Sequence, residues 1–230
     1  MEEFMKKLLA ALIILGLLAV SPWAWYGYAE AAEGSFTITL EESKDHGPKL
    51  PSNAFVMPDK TAVWKLLSGI GTADYSDLVN IFAVMDVVKS KNLTIILHSP
   101  GGSVFDGMAL AGLIQEKVKG GYQVEIRGYG IIASAATIVM VSGTKGKRVL
   151  DPRAFFMVHE LSTFEFLTYK NVSEREKDVK VSRMIQTKIE KFVASMTGME
   201  LSAFQKLCKD ETWLEPDKAV SLGFADEVLP

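Results

Sequence analysis

Leu93-Thr94-Ile95-Ile96-Leu97-His98-Ser99-Pro100-Gly101-Gly102-Ser103-Val104 decides the fold of this chain. Its first six residues form an apolar run too short for a helix, and a proline and two glycines then make a turn. From Val104 onward Met108, Ala111, Ile114 and Val118 recur at helical spacing, closed by Gly120-Gly121. A strand that turns into an amphipathic helix is half of a crossover unit.

The pattern repeats on both sides. Upstream, Ala62–Leu67 reads as a strand, and Asp74–Lys89 carries Leu78, Ile81, Phe82, Met85 and Val88 at helical spacing. Downstream, Gln123–Arg127 is a strand, and Gly128-Tyr129-Gly130 leads into a small-residue helix, Ala133–Val141. Arg148–Leu150 and Phe155–Val158 follow as strands. Repeated strand-helix-strand units predict an α/β fold with a mostly parallel sheet and helices on both faces. A longer helix is expected from Ser173, where Ser173 and Glu176 have capping-box spacing; Val181, Ile185, Ile189, Phe192 and Met196 make its apolar stripe, and Gly198 ends it. Pro216 and Gly223 bracket a last helix before the strand Ala225–Leu229.

Composition narrows the chemistry. The 230 residues are 48% hydrophobic and 23% charged, which suits one globular domain with or without a tail. The net charge is −3 and no block of like charges occurs, so nucleic acid is not an expected partner. One cysteine, Cys208, and three histidines, His46, His98 and His159, make a poor zinc inventory, so neither metal nor cofactor is expected. Cys208 itself reads as a buried apolar side chain.

The start of the chain reads differently. Lys6 and Lys7 precede an apolar run, and Ala29-Glu30-Ala31 has the small-x-small form of a signal-peptidase site. Leu8–Ala29 is also 22 residues without a charge, with Trp23, Trp25, Tyr26 and Tyr28 near its end, which suits a membrane anchor. The expected organisation is therefore 1–31 as signal peptide or anchor, 32–58 as an extended segment with a short strand at Phe36–Leu40, and 59–230 as the main α/β domain. Either reading of the first segment places the remainder outside the cytoplasm, secreted, periplasmic or membrane-tethered.

Three features converge on one chemistry. Gly101-Gly102 at a strand end can turn backbone N–H groups toward a bound carbonyl, because no Cβ stands in the way. Gly130-x-x-x-Ser134 precedes a helix, and His159 ends the run Phe155–Val158. Nucleophile, oxyanion donors and general base would then come from adjacent strand ends, where open parallel sheets place their sites.

These residues also carry a resemblance. Ser99-Pro100-Gly101-Gly102-Ser103-Val104, Gly130-Ile131-Ile132-Ala133-Ser134, Ser142-Gly143-Thr144-Lys145-Gly146-Lys147-Arg148 and Phe156-Met157-Val158-His159 resemble the proteolytic subunit of Clp protease and its phage and exported relatives. The similarity spans about Ala62–Leu229 and includes the 25-residue gap from Ser134 to His159. It implies a crotonase-like spiral of strand-helix-strand units with the helix from Ser173 to Met196 in a projecting handle. It implies Ser134 as nucleophile, His159 as base, and the N–H groups of Gly102 and Ala135 as oxyanion hole. The implied partners are a peptide or unfolded-protein substrate and further copies of the chain. An exported chain would not meet the ATP-driven unfoldase that feeds the cytosolic enzyme, so an ATPase partner is not expected.

Departures from the family are equally specific. After its histidine the family usually has a polar residue, then proline and glycines; this chain has Glu160-Leu161-Ser162-Thr163-Phe164-Glu165-Phe166, which favours a single ring or smaller assembly over two stacked rings. The usual aspartate position falls on Leu207, and the phage-type position on Lys209. Asp210 is the nearest carboxylate, with Glu211 next, and a one-residue offset turns a helical side chain by about 100°. Asp210 therefore reaches His159 only if that helix end is unwound or shifted. Two enzymatic alternatives, a signal-peptide-peptidase-like Ser/Lys protease and an acyl-CoA enzyme of the same fold class, leave His159 or its spacing unexplained. A non-catalytic interaction module is the remaining alternative.

Overall fold

The computed structural model describes residues 29–32, 35–38, 47–162 and 170–230. The lysines and apolar run read as signal or anchor lie outside them. Among the described residues no helix is long and apolar enough to cross a membrane. The chain divides into two compact units, Met1–Gly47 and Pro48–Pro230. The first contains a hairpin in which β1 (Ala29–Ala32) pairs antiparallel with β2 (Ser35–Ile38).

The second unit is built on one sheet. Its strands are β3 (Ala54–Val56), β4 (Ala62–Leu66), β5 (Asn92–Ser99), β6 (Gln123–Ala133), β7 (Arg148–Leu150), β8 (Phe155–Val158), β9 (Thr212–Leu214) and β10 (Glu227–Val228). The order is β10-β7-β6-β5-β4-β3, with β8 pairing both β6 and β9. The pairs β4–β5, β5–β6, β6–β7, β6–β8 and β7–β10 are parallel; only the β3–β4 and β8–β9 pairs are antiparallel. The crossovers are α1 (Thr72–Val88), α2 (Val104–Lys119) and α3 (Ala135–Val141). Leu93, Ile95 and Leu97 alternate inward on β5 and meet Leu78, Ile81, Met85, Leu110 and Ile114 from the helices in a single core. This is the mostly parallel α/β architecture expected from the repeated units.

Local chemistry sets the boundaries. At α1 the Gly71 N–H donates to the Asp74 carboxylate at 2.8 Å, starting the helix two residues before the expected Asp74. Ser103 caps α2 by accepting from the Asp106 N–H at 3.3 Å. The Gly128-Tyr129-Gly130 segment does not end its strand, as expected, but lies inside the eleven-residue β6. The reason is a change of neighbour: β6 pairs with β7 as far as Gly128 and with β8 from Ile131. At Gly128 a Cβ would lie 2.7 Å from the Leu150 side chain, and Gly130, at φ +59°, would place one 2.5 Å from the His98 ring.

Two further differences concern the C-terminal part. The long helix α4 runs Val172–Thr197, and its cap is Asn171 with Glu174, not Ser173 with Glu176. Asn171 Oδ1 accepts from the Glu174 N–H at 2.9 Å, and Glu174 accepts from the Asn171 N–H at 2.8 Å. Helix α5 (Leu201–Lys209) and strand β9 form where the sequence pattern assigns no element, because Phe204 and Cys208 pack inward beside Phe224 and β8. Finally, α6 (Pro216–Ser221) begins at its proline as expected.

Candidate active site

Ser134 stands between β6 and α3 at φ +56°, ψ −125°. A positive φ at a residue with a Cβ stores strain of about 1–3 kcal/mol and persists only where neighbours hold it. They do so here: the Ser134 N–H donates to the Met157 carbonyl of β8 at 3.0 Å, and Thr137 Oγ1 donates to the Ser134 carbonyl at 2.7 Å. The small residues around Ser134 have a packing reason too, since a Cβ on Gly107 of α2 would lie 3.3 Å from the Ala135 Cβ.

His159 follows β8, and the register Ala133↔Met157 brings it beside Ser134. Its Nε2 lies 2.8 Å from Ser134 Oγ. With Nε2 unprotonated the hydroxyl donates to it, which is the geometry a general base needs. Ser134 and His159 are thus brought together by strand pairing first and by side-chain placement second.

The glycine pair lies against the same turn. Gly101, at φ +102°, would place a Cβ 2.5 Å from the Ser134 Cβ and 3.0 Å from the Ala135 nitrogen. Gly102, at φ +146°, would place one 2.4 Å from the Ile70 carbonyl oxygen. Ile70 N–H donates to the Gly101 carbonyl at 2.8 Å and Ser103 N–H to the Ile70 carbonyl at 2.9 Å, locking the loop. Neither the Gly102 nor the Ala135 N–H is engaged by another group among the described residues. Both are therefore available to an incoming oxyanion.

Asp210 is not brought to His159. α5 keeps regular geometry through Lys209, and Asp210 is its C-cap at φ −87°, ψ 2°, with an exposed side chain. The backbone turns left-handed one residue later, at Glu211 (φ +46°), so the unwinding that would swing Asp210 round does not occur at Asp210. Among the described residues the His159 ring is hydrogen-bonded to Ser134 alone. Leu207 offers no acceptor side chain, and its carbonyl takes the Thr212 hydroxyl at 2.7 Å.

A cavity of about 300 Å³ opens beside Ser134 and His159, walled by Val104, Ile138, Ile189, Val193 and Phe204. Cys208 closes it and is buried. Burial above all, with Glu190 and Glu160 nearby, pushes its thiol up to about 12, so no thiolate competes with Ser134. No cluster of groups able to hold a metal occurs among the described residues.

Sequence reasoning missed the polar part of this cavity. α4 was expected to bury an apolar stripe, yet Gln186 and Glu190 are among its four buried residues, with Val193 and Ala194. Of the expected stripe, Ile189, Phe192 and Met196 pack half-buried against the core, while Val181 stays exposed. Gln186 Nε2 donates to Glu190 Oε1 at 2.8 Å, Gln205 Nε2 of α5 donates to Glu190 Oε2 at 2.8 Å, and the Leu161 N–H donates to Gln186 Oε1 at 2.7 Å. The i,i+4 spacing of Gln186 and Glu190 was the available signal, hidden in a helix where ten of 26 residues are charged.

A serine on a strained strand-to-helix turn, a histidine at hydrogen-bond distance and two free N–H groups beside a glycine pair make up the machinery of a serine hydrolase. Comparison with known proteins narrows the class. The Clp protease family model matches residues 59–230. The ATP-dependent Clp protease proteolytic subunits of Streptococcus pyogenes serotype M5 (strain Manfredo) and serotype M49 (strain NZ131) are each 26% identical over 143 residues, covering 61% of this chain and 70% of the relative. A point mutant of ClpP1 from Listeria monocytogenes superposes with a TM-score of 0.62 at 21% identity, covering 73% of this chain and 90% of that one, and so shares the fold. The chain belongs to the Clp protease family, and its activity class is that of a serine peptidase.

Proposed function

We propose that this chain is an endopeptidase in which Ser134 is the nucleophile, His159 the general base and acid, and the N–H groups of Gly102 and Ala135 the oxyanion hole. The observation that carries the reading is the 2.8 Å contact of His159 Nε2 with Ser134 Oγ on a strained turn. Ser134 Oγ attacks the peptide carbonyl while its proton passes to Nε2, and the carbonyl oxygen becomes an oxyanion at the two N–H groups. His159 then returns the proton to the leaving amine, and water repeats the cycle on the acyl-enzyme. No lysine among the described residues reaches Ser134 Oγ, which supports a Ser/His centre over a Ser/Lys one.

The apolar walls of the cavity favour peptide or unfolded-protein substrates with an apolar side chain next to the cleaved bond. A homo-oligomer is supported by the relatives' description as a proteolytic subunit and by Val172, Val179 and Met184, apolar yet 65–73% exposed on α4. The Lys6-Lys7 apolar run supports export or membrane tethering, and with it action without an ATPase. A fluorophosphonate probe tests the centre: the wild type is expected to label, and Ser134→Ala and His159→Gln are not. An active His159→Gln variant would instead favour a lysine base.

A further inference from the structure

Among the described residues no carboxylate meets the His159 ring, yet the segment that follows it is held with care. His159 is succeeded by Glu160, whose N–H donates to the Cys208 carbonyl at 3.1 Å, and by Leu161, whose N–H donates to Gln186 Oε1 at 2.7 Å. The first bond ties the base to the end of α5, and the second ties it to the middle of α4. The Leu161 N–H is thus met by the buried Gln186 side chain.

Glu190 explains why Gln186 meets it in the right sense. A glutamine amide offers an oxygen on one side and an NH₂ on the other, and the two orientations differ little in shape. A carboxylate is acceptor-only, so Glu190 Oε1 compels Gln186 to present Nε2 to it and therefore Oε1 to Leu161. The other carboxylate oxygen takes Gln205 Nε2 from α5. Glu190 is 4% exposed, Gln186 is 6% exposed, and the carboxylate is met by two amides and no cation. A buried carboxylate held by neutral donors alone is an expensive way to stabilise a helix packing, and apolar side chains of the same volume would serve as well or better. Its placement is accounted for by what the relay ends on, the backbone two residues after the base.

We propose that Gln186, aligned by Glu190, is the positioning residue for His159, and that this buried relay performs the orienting task which a carboxylate on the ring performs elsewhere. It acts through the backbone: it fixes where residues 159–161 lie between α4 and α5, and so where Nε2 lies relative to Ser134 Oγ. The relay contributes orientation only; it neither takes a proton nor touches substrate. This inference rests on the Ser134–His159 reading above.

The test compares the fluorophosphonate labelling rate and peptide kcat and KM of four full-length proteins at a temperature where each is folded by circular dichroism. Gln186→Leu keeps the volume and removes both bonds; it is expected to lower kcat and the labelling rate at least about tenfold with little change in KM, since small misplacements of a catalytic group can cost on the order of 10². Gln186→Glu keeps the acceptor for Leu161 but sets two carboxylates against each other, and a similar loss is expected. Adding Glu190→Gln to Gln186→Glu restores every bond with the charge moved by four residues, and is expected to recover most of the rate. Wild-type kcat in a folded Gln186→Leu, or no recovery in the double variant relative to Gln186→Glu, overturns the relay. If Gln186→Leu does not fold, the rescue comparison decides alone. A wild type that never labels overturns the Ser134–His159 reading instead, and the two failures are distinct.

Discussion

Gly101 lies directly beneath Ser134: a Cβ on Gly101 would stand 2.5 Å from the Ser134 Cβ. Ser134 therefore occupies space that only a glycine leaves free, and its positive φ is held by the loop below it and the Met157 carbonyl beside it. Ser134→Ala keeps the Cβ and the backbone bonds and removes only Oγ. Turnover and probe labelling should fall by a factor on the order of 10⁶, while the melting temperature stays within a degree or two of the wild type, as read by calorimetry beside the peptidase assay.

Gly102 is the sharper test of the oxyanion hole. An alanine there would drive its Cβ to 2.4 Å from the Ile70 oxygen, so the loop must shift and carry its N–H with it. Loss of one oxyanion donor is worth roughly 10²–10³ in kcat. Gly102→Ala should show at least that loss together with a lower melting temperature; a variant with unchanged kcat removes Gly102 from the site.

Asp210 and Glu211 are exposed at the end of α5, and neither accepts from the His159 ring. Asp210→Asn and Glu211→Gln should each keep kcat within about threefold of the wild type, well short of the roughly 10⁴ attached to a triad aspartate. A tenfold or greater loss in Asp210→Asn alone would show that the helix end rearranges around bound peptide.

Stability in acid should depend on Asp226. Burial alone would raise its carboxyl, but the Arg148 guanidinium, with the N–H groups of Arg148 and Gly146, outweighs burial and holds it below the usual value of 3.8. A carboxyl lowered on folding contributes stability that is complete above its unfolded value and is lost as pH falls through the folded one. Denaturant titrations from neutral to acid pH should show this loss. Asp226→Ala leaves Arg148, 3% exposed, without its partner and should cost about 3–5 kcal/mol at neutral pH and flatten the acid response.

The N-terminal reading has its own measurement. Expressed in bacteria from Met1, the chain should cross the membrane and begin at Ala32 by N-terminal sequencing. A membrane-bound product that keeps Met1 or Met5 selects the anchor, and an intact soluble cytosolic product contradicts both.

The strand-turn-helix units and the Ser134–His159 pair were legible because each is written in short-range signals: apolar runs bounded by glycines, and a fixed spacing between two strand ends. β6 was cut short in the sequence reading because Gly128 and Gly130 look like a turn, whereas they are the places where Leu150, Ile132 and His98 crowd a strand. Gln186 and Glu190 were illegible for a different reason. Polar residues in a heavily charged helix read as solvated, and only the packing of α5 and the segment after His159 over that face buries them. The spacing of Ser173 with Glu176 recurs two residues earlier in Asn171 with Glu174, and that earlier pair makes both cap hydrogen bonds.

The change of neighbour along β6 gives the strand two separately mutable halves. From Gln123 to Gly128 it pairs with β5, joined by β7 from Ile126 to Gly128, and a substitution there is felt by the whole sheet. From Ile131 to Ala133 it pairs with β8, which leads into His159, and a substitution there shifts Ser134 and His159 against each other. Random variants of this one strand should sort into abundance defects before Gly128 and rate defects after Gly130, leaving selection able to tune turnover and durability within eleven consecutive residues.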